Sequence, residues 1–174
     1  MAGDDWELRS MFHVNINCSD LEKSAAWYES IGFKKVYRFD FAGEADSSYA
    51  GNGVTGYTEH IGPCVMFIGD DPRQVRLDLM QWVVPAPPEH APPLAWQVGV
   101  PRICVWARNI DAMYEDLSAK GIVFEAPPAG PFPERAIERV LYTRDPDGLI
   151  VEFLEFTPRG RGLYNESSQE SASA

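Results

Sequence analysis

Apolar and polar residues alternate near the start of the chain in the pattern of a half-buried β-strand. Residues 11–17 (MFHVNIN) follow a period of two, which places His13, Asn15 and Asn17 on one face of the strand. Three polar side chains are therefore expected next to one another at this point in the sheet.

A helix and three more strands are predicted to complete the first half of the chain. Helical spacing extends over residues 20–30, where Ser19 and Glu22 form a capping-box pattern and Gly32 is the expected stop. Apolar runs then predict strands at 33–39, 64–68 and 75–83, with a turn at 69–72. The predicted order is strand, helix and three strands.

The second half repeats this order. Strand patterns occur at 102–107, 122–124, 137–143 and 149–156. Asn109 is the predicted cap of a helix that extends to about Lys120 and is closed by Gly121. The run Asp145–Gly148 predicts a tight turn between the last two strands.

The two halves agree in register, which indicates an internal repeat. Gly32 and Gly121, which follow the two helices, are separated by 89 residues (121 − 32 = 89), and so are His13 and Arg102 (102 − 13 = 89). His13 and Arg102 therefore occupy equivalent places on the first strand of each half. The hairpin turns are closer together than this, so the first half should contain an insertion, placed in the polar loop at 42–62.

These patterns predict an α+β fold made of two tandem βαβββ modules. In chain order, we expect a lead-in (1–10), a first module (11–84) with the inserted loop 42–62, a proline-rich linker (85–101), a second module (102–157) and a flexible polar tail (158–174).

Composition narrows the possible partners and location. The 15 Lys and Arg residues against 26 Asp and Glu give a net charge of -11, which disfavours nucleic acid and anionic membrane surfaces as partners. Three cysteines without a CxxC pair suggest neither a disulfide framework nor a structural zinc site. Neither an export signal nor a long apolar run is present, so a cytoplasmic protein is expected.

Three segments resemble the vicinal oxygen chelate superfamily, which includes glyoxalase I, bleomycin-resistance proteins and extradiol dioxygenases. They are FHVNINCSDLEKSAAWYESIGF at 12–33, RICVWARNIDA at 102–112 and RDPDGLIVEFLEF at 144–156. The resemblance implies curved mixed sheets around a shared cleft, in which family enzymes hold a divalent metal. It also implies a homodimer and a small-molecule substrate.

The resemblance further implies which residues line that cleft. His13 matches the family's ligand on the first strand, and Glu152 matches the carboxylate on the last strand of the second module. In the first module Asp78 takes the equivalent last-strand position, with Gln81 as the alternative if the register slips. A metal held by His13, Asp78 and Glu152 would be Fe, Mn, Zn or Ni.

One position departs from the family pattern, because Arg102 stands where many relatives have a His ligand. A guanidinium stays protonated and cannot ligate a metal. The metal is therefore absent in one alternative, with Arg102 paired to Asp78 or Glu152. In the other alternative the metal is retained, and Arg102 binds an anionic substrate.

The function implied by the resemblance is enzymatic. An isomerase, lyase or dioxygenase would act on a small aromatic or carbonyl-bearing metabolite, with Asp78, Glu152 and Arg102 as catalytic residues. The predicted substrate contacts are Arg102, Asn15, Trp82 and Trp106, since aromatic walls suit a flat ligand. The alternative function is a metal-free binding protein of the drug-sequestering kind.

Overall fold

The computed structural model of the protein describes residues 10–38, 59–68, 74–84, 86–89 and 91–160. The chain divides into two compact units, Met1–His90 and Ala91–Ala174. Most of the predicted lead-in, inserted loop and tail, as well as the turn at 69–72, lie outside the described residues.

The first unit contains a four-stranded mixed sheet and one helix. Its strands are β1 (His13–Asn17), β2 (Phe33–Arg38), β3 (Glu59–Ile68) and β4 (Arg76–Val84), arranged in the order β1-β4-β3-β2. β1 runs parallel to β4, and the other neighbouring pairs are antiparallel. Helix α1 (Leu21–Ser30) connects β1 to β2. This is the predicted order of strand, helix and three strands.

Helix α1 forms where helical spacing places its apolar residues on one side. Leu21, Ala25 and Tyr28 are buried, and their spacing directs them to one stripe of the helix. The N-terminal cap is Asp20 rather than the predicted Ser19, because an Asp20 carboxylate oxygen accepts a hydrogen bond from the Lys23 backbone N–H at 3.0 Å.

The second unit contains a three-stranded sheet, one α-helix and a short 3₁₀-helix (Pro133–Arg135). Strands β5 (Arg102–Trp106), β6 (Ile137–Arg144) and β7 (Ile150–Phe156) lie in the order β5-β7-β6, with β5 parallel to β7. Helix α2 (Ile110–Ala119) follows β5. Ile110, Leu141, Val151 and Phe153 form the most buried part of its core. Neither described α-helix is long and apolar enough to cross a membrane.

The prediction of a strand at 122–124 is wrong. Phe124 makes only an isolated bridge to Thr143, and Ala129 makes another to Val140. Two prolines, at 127 and 128, lie between these bridges. Because proline has no N–H to donate to a ladder, the pairing does not continue, and the described second unit has the order strand, helix and two strands.

Strand β3 is longer than the sequence predicts. It begins at Glu59 rather than residue 64, so its first residues replace the end of the loop predicted at 42–62. Glu59 and Ile61 pair with Val84 and Gln81 at the far end of β4. Pairing with a long neighbouring strand therefore extends β3 into a segment whose own composition does not favour a strand.

Candidate functional site

His13 and Asp78 are neighbours on the polar face of the first sheet, defined here as the side that carries His13, Asn15, Asn17 and Asp78. Asn15 lies directly opposite Asp78 in the parallel pair of β1 and β4, and His13, two residues earlier, shares that face. His13 Nδ1 is 3.3 Å from an Asp78 carboxylate oxygen, with the side chains 43% and 18% exposed. The imidazole is thus oriented by a carboxylate and accessible to solvent.

Glu152 is the centre of the polar face of the second sheet, defined as the side that carries Arg102, Cys104, Trp106, Tyr142 and Glu152. Cys104 and Tyr142 lie directly opposite Glu152 on the two flanking strands. Tyr142 donates its hydroxyl to Glu152 Oε1 at 2.8 Å, and Arg102 Nε is 2.9 Å from Oε2. One oxygen of this buried carboxylate therefore has a hydrogen-bond donor and the other has a cationic partner, as a buried charge requires.

The environment of Glu152 keeps two neighbouring groups protonated. Partial burial of the thiol group raises the pKa of Cys104 from 9.0 to about 11, although the residue as a whole is exposed, and the charge of Glu152 adds to this while that of Arg102 opposes it. Burial, followed by the hydrogen bond to Glu152, raises the pKa of Tyr142 to about 12. At neutral pH the Cys104 thiol is therefore not an activated nucleophile, and Tyr142 is a hydrogen-bond donor.

Gln81 points away from the polar face. Its side-chain oxygen accepts a hydrogen bond at 3.0 Å from the backbone N–H of Leu21, the first residue of α1. The two last-strand candidates are three residues apart, so alternation puts them on opposite faces. Of the two, Asp78 is the one that meets His13.

Glu155 has the same role in the second unit, and the sequence analysis did not identify it. Its two carboxylate oxygens accept hydrogen bonds from the backbone N–H groups of Asn109 and Ile110, each at 3.0 Å. Asn109 occupies the cap position in a left-handed conformation and makes no side-chain cap bond. The predicted Asn109 cap is thus replaced by a carboxylate from β7, which also complements the positive end of the helix dipole.

The two predicted tryptophan contacts lie at the ends of the polar faces. Trp82 Nε1 donates to the Asn17 side-chain oxygen at 2.9 Å. Trp106 is 50% exposed, and its ring meets Phe156 in an edge-to-face contact with centroids 6.2 Å apart. Trp106 corresponds to Asn17 (106 − 17 = 89), and Phe156 corresponds to Trp82 because each lies four residues after the last-strand carboxylate of its unit. The same two positions of each sheet are therefore in contact in both units.

The donor set around Glu152 does not fit a divalent metal. In the described part of each unit, no three His, Cys, Asp or Glu side chains are grouped as a metal site. Of the predicted ligands, the first unit contributes His13 and Asp78, and the second contributes Glu152. The Arg102 guanidinium, 2.9 Å from that carboxylate, would repel a cation placed there.

Tyr142 was also absent from the sequence-based candidates, although the hairpin carries a signal for it. Asp145 forms the predicted turn by accepting hydrogen bonds from the backbone N–H groups of Asp147 and Leu149. Residues equally distant from such a turn lie opposite each other in an antiparallel pair. Tyr142 and Glu152 are each five residues from Asp147 (147 − 142 = 5 and 152 − 147 = 5), which predicts their contact.

Solved structures with the same architecture come from several organisms. A glyoxalase family protein from Bacillus cereus superposes with a TM-score of 0.72 at 20% identity, covering 90% of this chain and 99% of that chain. A trypanothione-dependent glyoxalase I from Leishmania major gives 0.60 at 16% identity, covering 96% and 100%. An antibiotic-binding protein from a Streptomyces species gives 0.56 at 18% identity, covering 87% and 99%. At these identities the likeness shows the fold.

The family assignment rests on the sequence. No curated protein sequence matches the chain significantly. The family model described as the Glyoxalase/Bleomycin resistance protein/Dioxygenase superfamily matches residues 10–153, which include the first sheet, most of the second sheet and the residues that define both polar faces. The expected α+β fold and the expected family are thereby confirmed, and the chain belongs to the glyoxalase/bleomycin resistance protein/dioxygenase superfamily.

Proposed function

We propose that the chain is a metal-independent small-molecule-binding protein of this superfamily. The observation that carries the proposal is the ion pair between Arg102 and Glu152. Glu152 stands at the position where metal-dependent relatives are expected to carry a carboxylate ligand. In this chain a guanidinium and a phenol bind its two oxygens. A fixed cation thus takes the electrostatic place of the ion.

The polar faces offer the kinds of contact that a small-molecule site uses. Polar side chains such as His13, Asn15 and Arg102 are exposed, and each face ends at a tryptophan. Ligand sites typically combine a few polar groups, which orient the ligand, with aromatic side chains, which supply contact area. The fold shared with an antibiotic-binding protein is consistent with such a role.

A metal analysis tests the proposal. The full-length protein is expressed in medium supplemented with Fe, Mn, Zn or Ni, and bound metal is measured after gel filtration. We expect substoichiometric metal in every case. In the Arg102→His variant, which restores the family pattern, we expect metal content to rise, whereas Arg135→His at an exposed position of the same unit should have no effect. One equivalent of metal in the wild type that disappears in Glu152→Ala would refute the proposal.

The pair of His13 and Asp78 favours a second candidate, a metal-independent acid–base enzyme. An imidazole whose Nδ1 faces a carboxylate is held in one orientation, so that Nε2 is available to move a proton. Asp78 would then position the base rather than act as the base itself. This chemistry suits the isomerase and lyase alternatives for a carbonyl-bearing substrate.

Proton exchange separates the two candidates. Deuterium incorporation from solvent into hydroxyacetone, followed by proton NMR, reports abstraction of a proton next to a carbonyl group. For a binding protein we expect no incorporation above that in buffer. Incorporation that is lost in His13→Gln and retained in Arg135→Gln would instead establish the acid–base candidate for this probe.

The predicted cytoplasmic location, the homodimer and the module boundaries at 11–84 and 102–157 stay part of the proposal. Analytical ultracentrifugation of the full chain tests the homodimer: we expect twice the monomer mass of 19.5 kDa. A single species at the monomer mass across micromolar concentrations would count against it.

A further inference from the structure

We infer that the ligand of the second polar face is an aromatic anion, with an aromatic ring stacked on Trp106 and an acidic oxygen bound by Arg102. The inference rests on the proposed function and names the chemical class of ligand for that site. Three observations carry it: the oriented guanidinium of Arg102, the exposed ring of Trp106, and the distance between them along β5.

The ion pair with Glu152 holds Arg102 in place and leaves part of its guanidinium accessible to a ligand. This ion pair runs through Nε at 2.9 Å, and the side chain is 48% exposed. Its two terminal nitrogens donate no hydrogen bond to any of the described residues. Since Tyr142 fixes the other oxygen of Glu152, the guanidinium is oriented before a ligand arrives. A planar fork of this kind recognises carboxylates and related oxyanions, and prior orientation lowers the entropy lost on binding.

Trp106 lies further along the same face and has positive neighbours. The guanidinium carbon of Arg108 lies 5.8 Å from the centroid of the exposed Trp106 ring. No carboxylate among the described residues forms an ion pair with Arg108, whereas Glu152 balances the charge of Arg102. The surface near Trp106 is therefore locally positive on a chain of net charge -11, and it favours an aromatic ligand that carries negative charge.

The spacing of the two residues sets the orientation of the ligand. Arg102 and Trp106 are the first and last residues of β5, so their α-carbons are about 13 Å apart in an extended strand. The guanidinium is held beside Glu152, which lies opposite Cys104 in the middle of β5. A ligand that stacks on Trp106 therefore reaches the guanidinium when its acidic group projects along the strand towards Arg102.

Calorimetric titration with 2-naphthoate tests the inference at low ionic strength. The matched probes are 2-naphthalenemethanol, which has the same rings without the charge, and benzoate, which has the charge on one ring. We expect 2-naphthoate to bind about tenfold more tightly than the alcohol, the factor typical of one charge-assisted hydrogen bond. It should bind severalfold more tightly than benzoate, because the second ring adds stacking area on Trp106. Arg102→Gln should abolish the preference over the alcohol, and Trp106→Leu the preference over benzoate.

Two controls protect the result from effects on folding. Arg135→Gln removes one exposed positive charge from the same unit and should leave both preferences unchanged. Arg102→Lys keeps the charge without the fork and should give an intermediate preference, which is measurable even if Arg102→Gln does not fold. Circular dichroism establishes which variants are folded.

The outcomes separate this inference from the proposed function. Equal affinity for 2-naphthoate and 2-naphthalenemethanol, or no binding of 2-naphthoate at millimolar concentration, overturns the inference about the ligand while the metal-independent function stands. One equivalent of metal dependent on Glu152 overturns the proposed function and the inference together.

Discussion

In the first unit the last-strand carboxylate, Asp78, faces an imidazole from the first strand, whereas in the second unit Glu152 faces a guanidinium. The strand on the other side differs as well, because Val65 lies opposite Asp78 and Tyr142 lies opposite Glu152. Among the described residues, the ion-pair partner of Asp78 is an imidazole, whereas Glu152 has a permanent cation and a hydroxyl donor.

The backbone does not account for this difference. In both units the first strand runs parallel to the last, with Asn15 opposite Asp78 and Cys104 opposite Glu152. The residue three positions after each carboxylate binds the N-terminus of the unit's helix. The repeat thus preserves the framework, and the two polar faces have diverged through their side chains alone.

The reactivity of Cys104 is expected to show the largest effect of this divergence. With its pKa raised from 9.0 to about 11, the thiolate fraction at pH 8 is about a hundredfold lower than in an unstructured peptide. Site-resolved mass spectrometry after iodoacetamide treatment measures the rate. Glu152→Gln should increase it and Asp78→Asn should not. Alkylation of Cys104 in the wild type at the rate of the peptide would contradict the account of this face.

Stability should distinguish the two carboxylates next. Glu152→Ala leaves Arg102 and Tyr142 without their acceptor, and we expect a loss of about 2 kcal/mol in the free energy of unfolding. Asp78→Ala removes a partly exposed pair and should cost below about 1 kcal/mol. Urea denaturation measures both, with the exposed Glu134→Ala as the control. Equal losses for the two variants would show that the pairs are energetically alike.

The contacts at the helix N-termini should differ in the same direction but by less. Glu155→Ala removes a charged acceptor from two N–H groups of α2, so we expect a loss of about 1 kcal/mol. Gln81→Ala removes one neutral acceptor from α1 and should cost roughly half as much. Glu155→Gln retains an acceptor and isolates the contribution of the charge. A larger loss for Gln81→Ala than for Glu155→Ala would reverse the expected order.

The smallest expected effect concerns Tyr142 at high pH. Its folded-state pKa of about 12 lies above the ordinary value of 10.0, so its contribution to stability is full below pH 10 and is lost as the pH rises towards 12. Ultraviolet titration should show late phenol ionisation, and Tyr142→Phe should remove the contribution of one phenol from it. If the Glu152→Gln variant kept the late phase unchanged, the hydrogen bond would not contribute to it.

Much of the framework could be predicted from the sequence because it depends on local patterns. The alternation in β1, the spacing in α1 and the common interval of 89 residues between His13 and Arg102 are all properties of the sequence. The strand expected at 122–124 failed because its pairing is interrupted by prolines at 127 and 128 outside that segment. The extension of β3 likewise depends on its neighbour in the sheet.

The site could be predicted only in part, because its contacts join distant strands. The candidates His13, Asp78, Arg102 and Glu152 follow from the repeat and the family resemblance, but the choice of partner for Arg102 does not. That choice depends on parallel pairing between β5 and β7, whose register is set by backbone hydrogen bonds across almost fifty residues (152 − 104 = 48). Tyr142 follows from the register of a hairpin, which is short-range.

The side-chain bonds from Gln81 and Glu155 to the helices have a consequence for how such a protein can change. A slip of one residue in β7 would turn Glu155 away from α2 and Glu152 into the core, so the register of the strand is fixed from the side opposite the polar face. Substitutions on the polar face therefore need not disturb that alignment. Selection can therefore change the side chains of the polar face while the residue that fixes the register of β7 remains on the opposite face of the same strand.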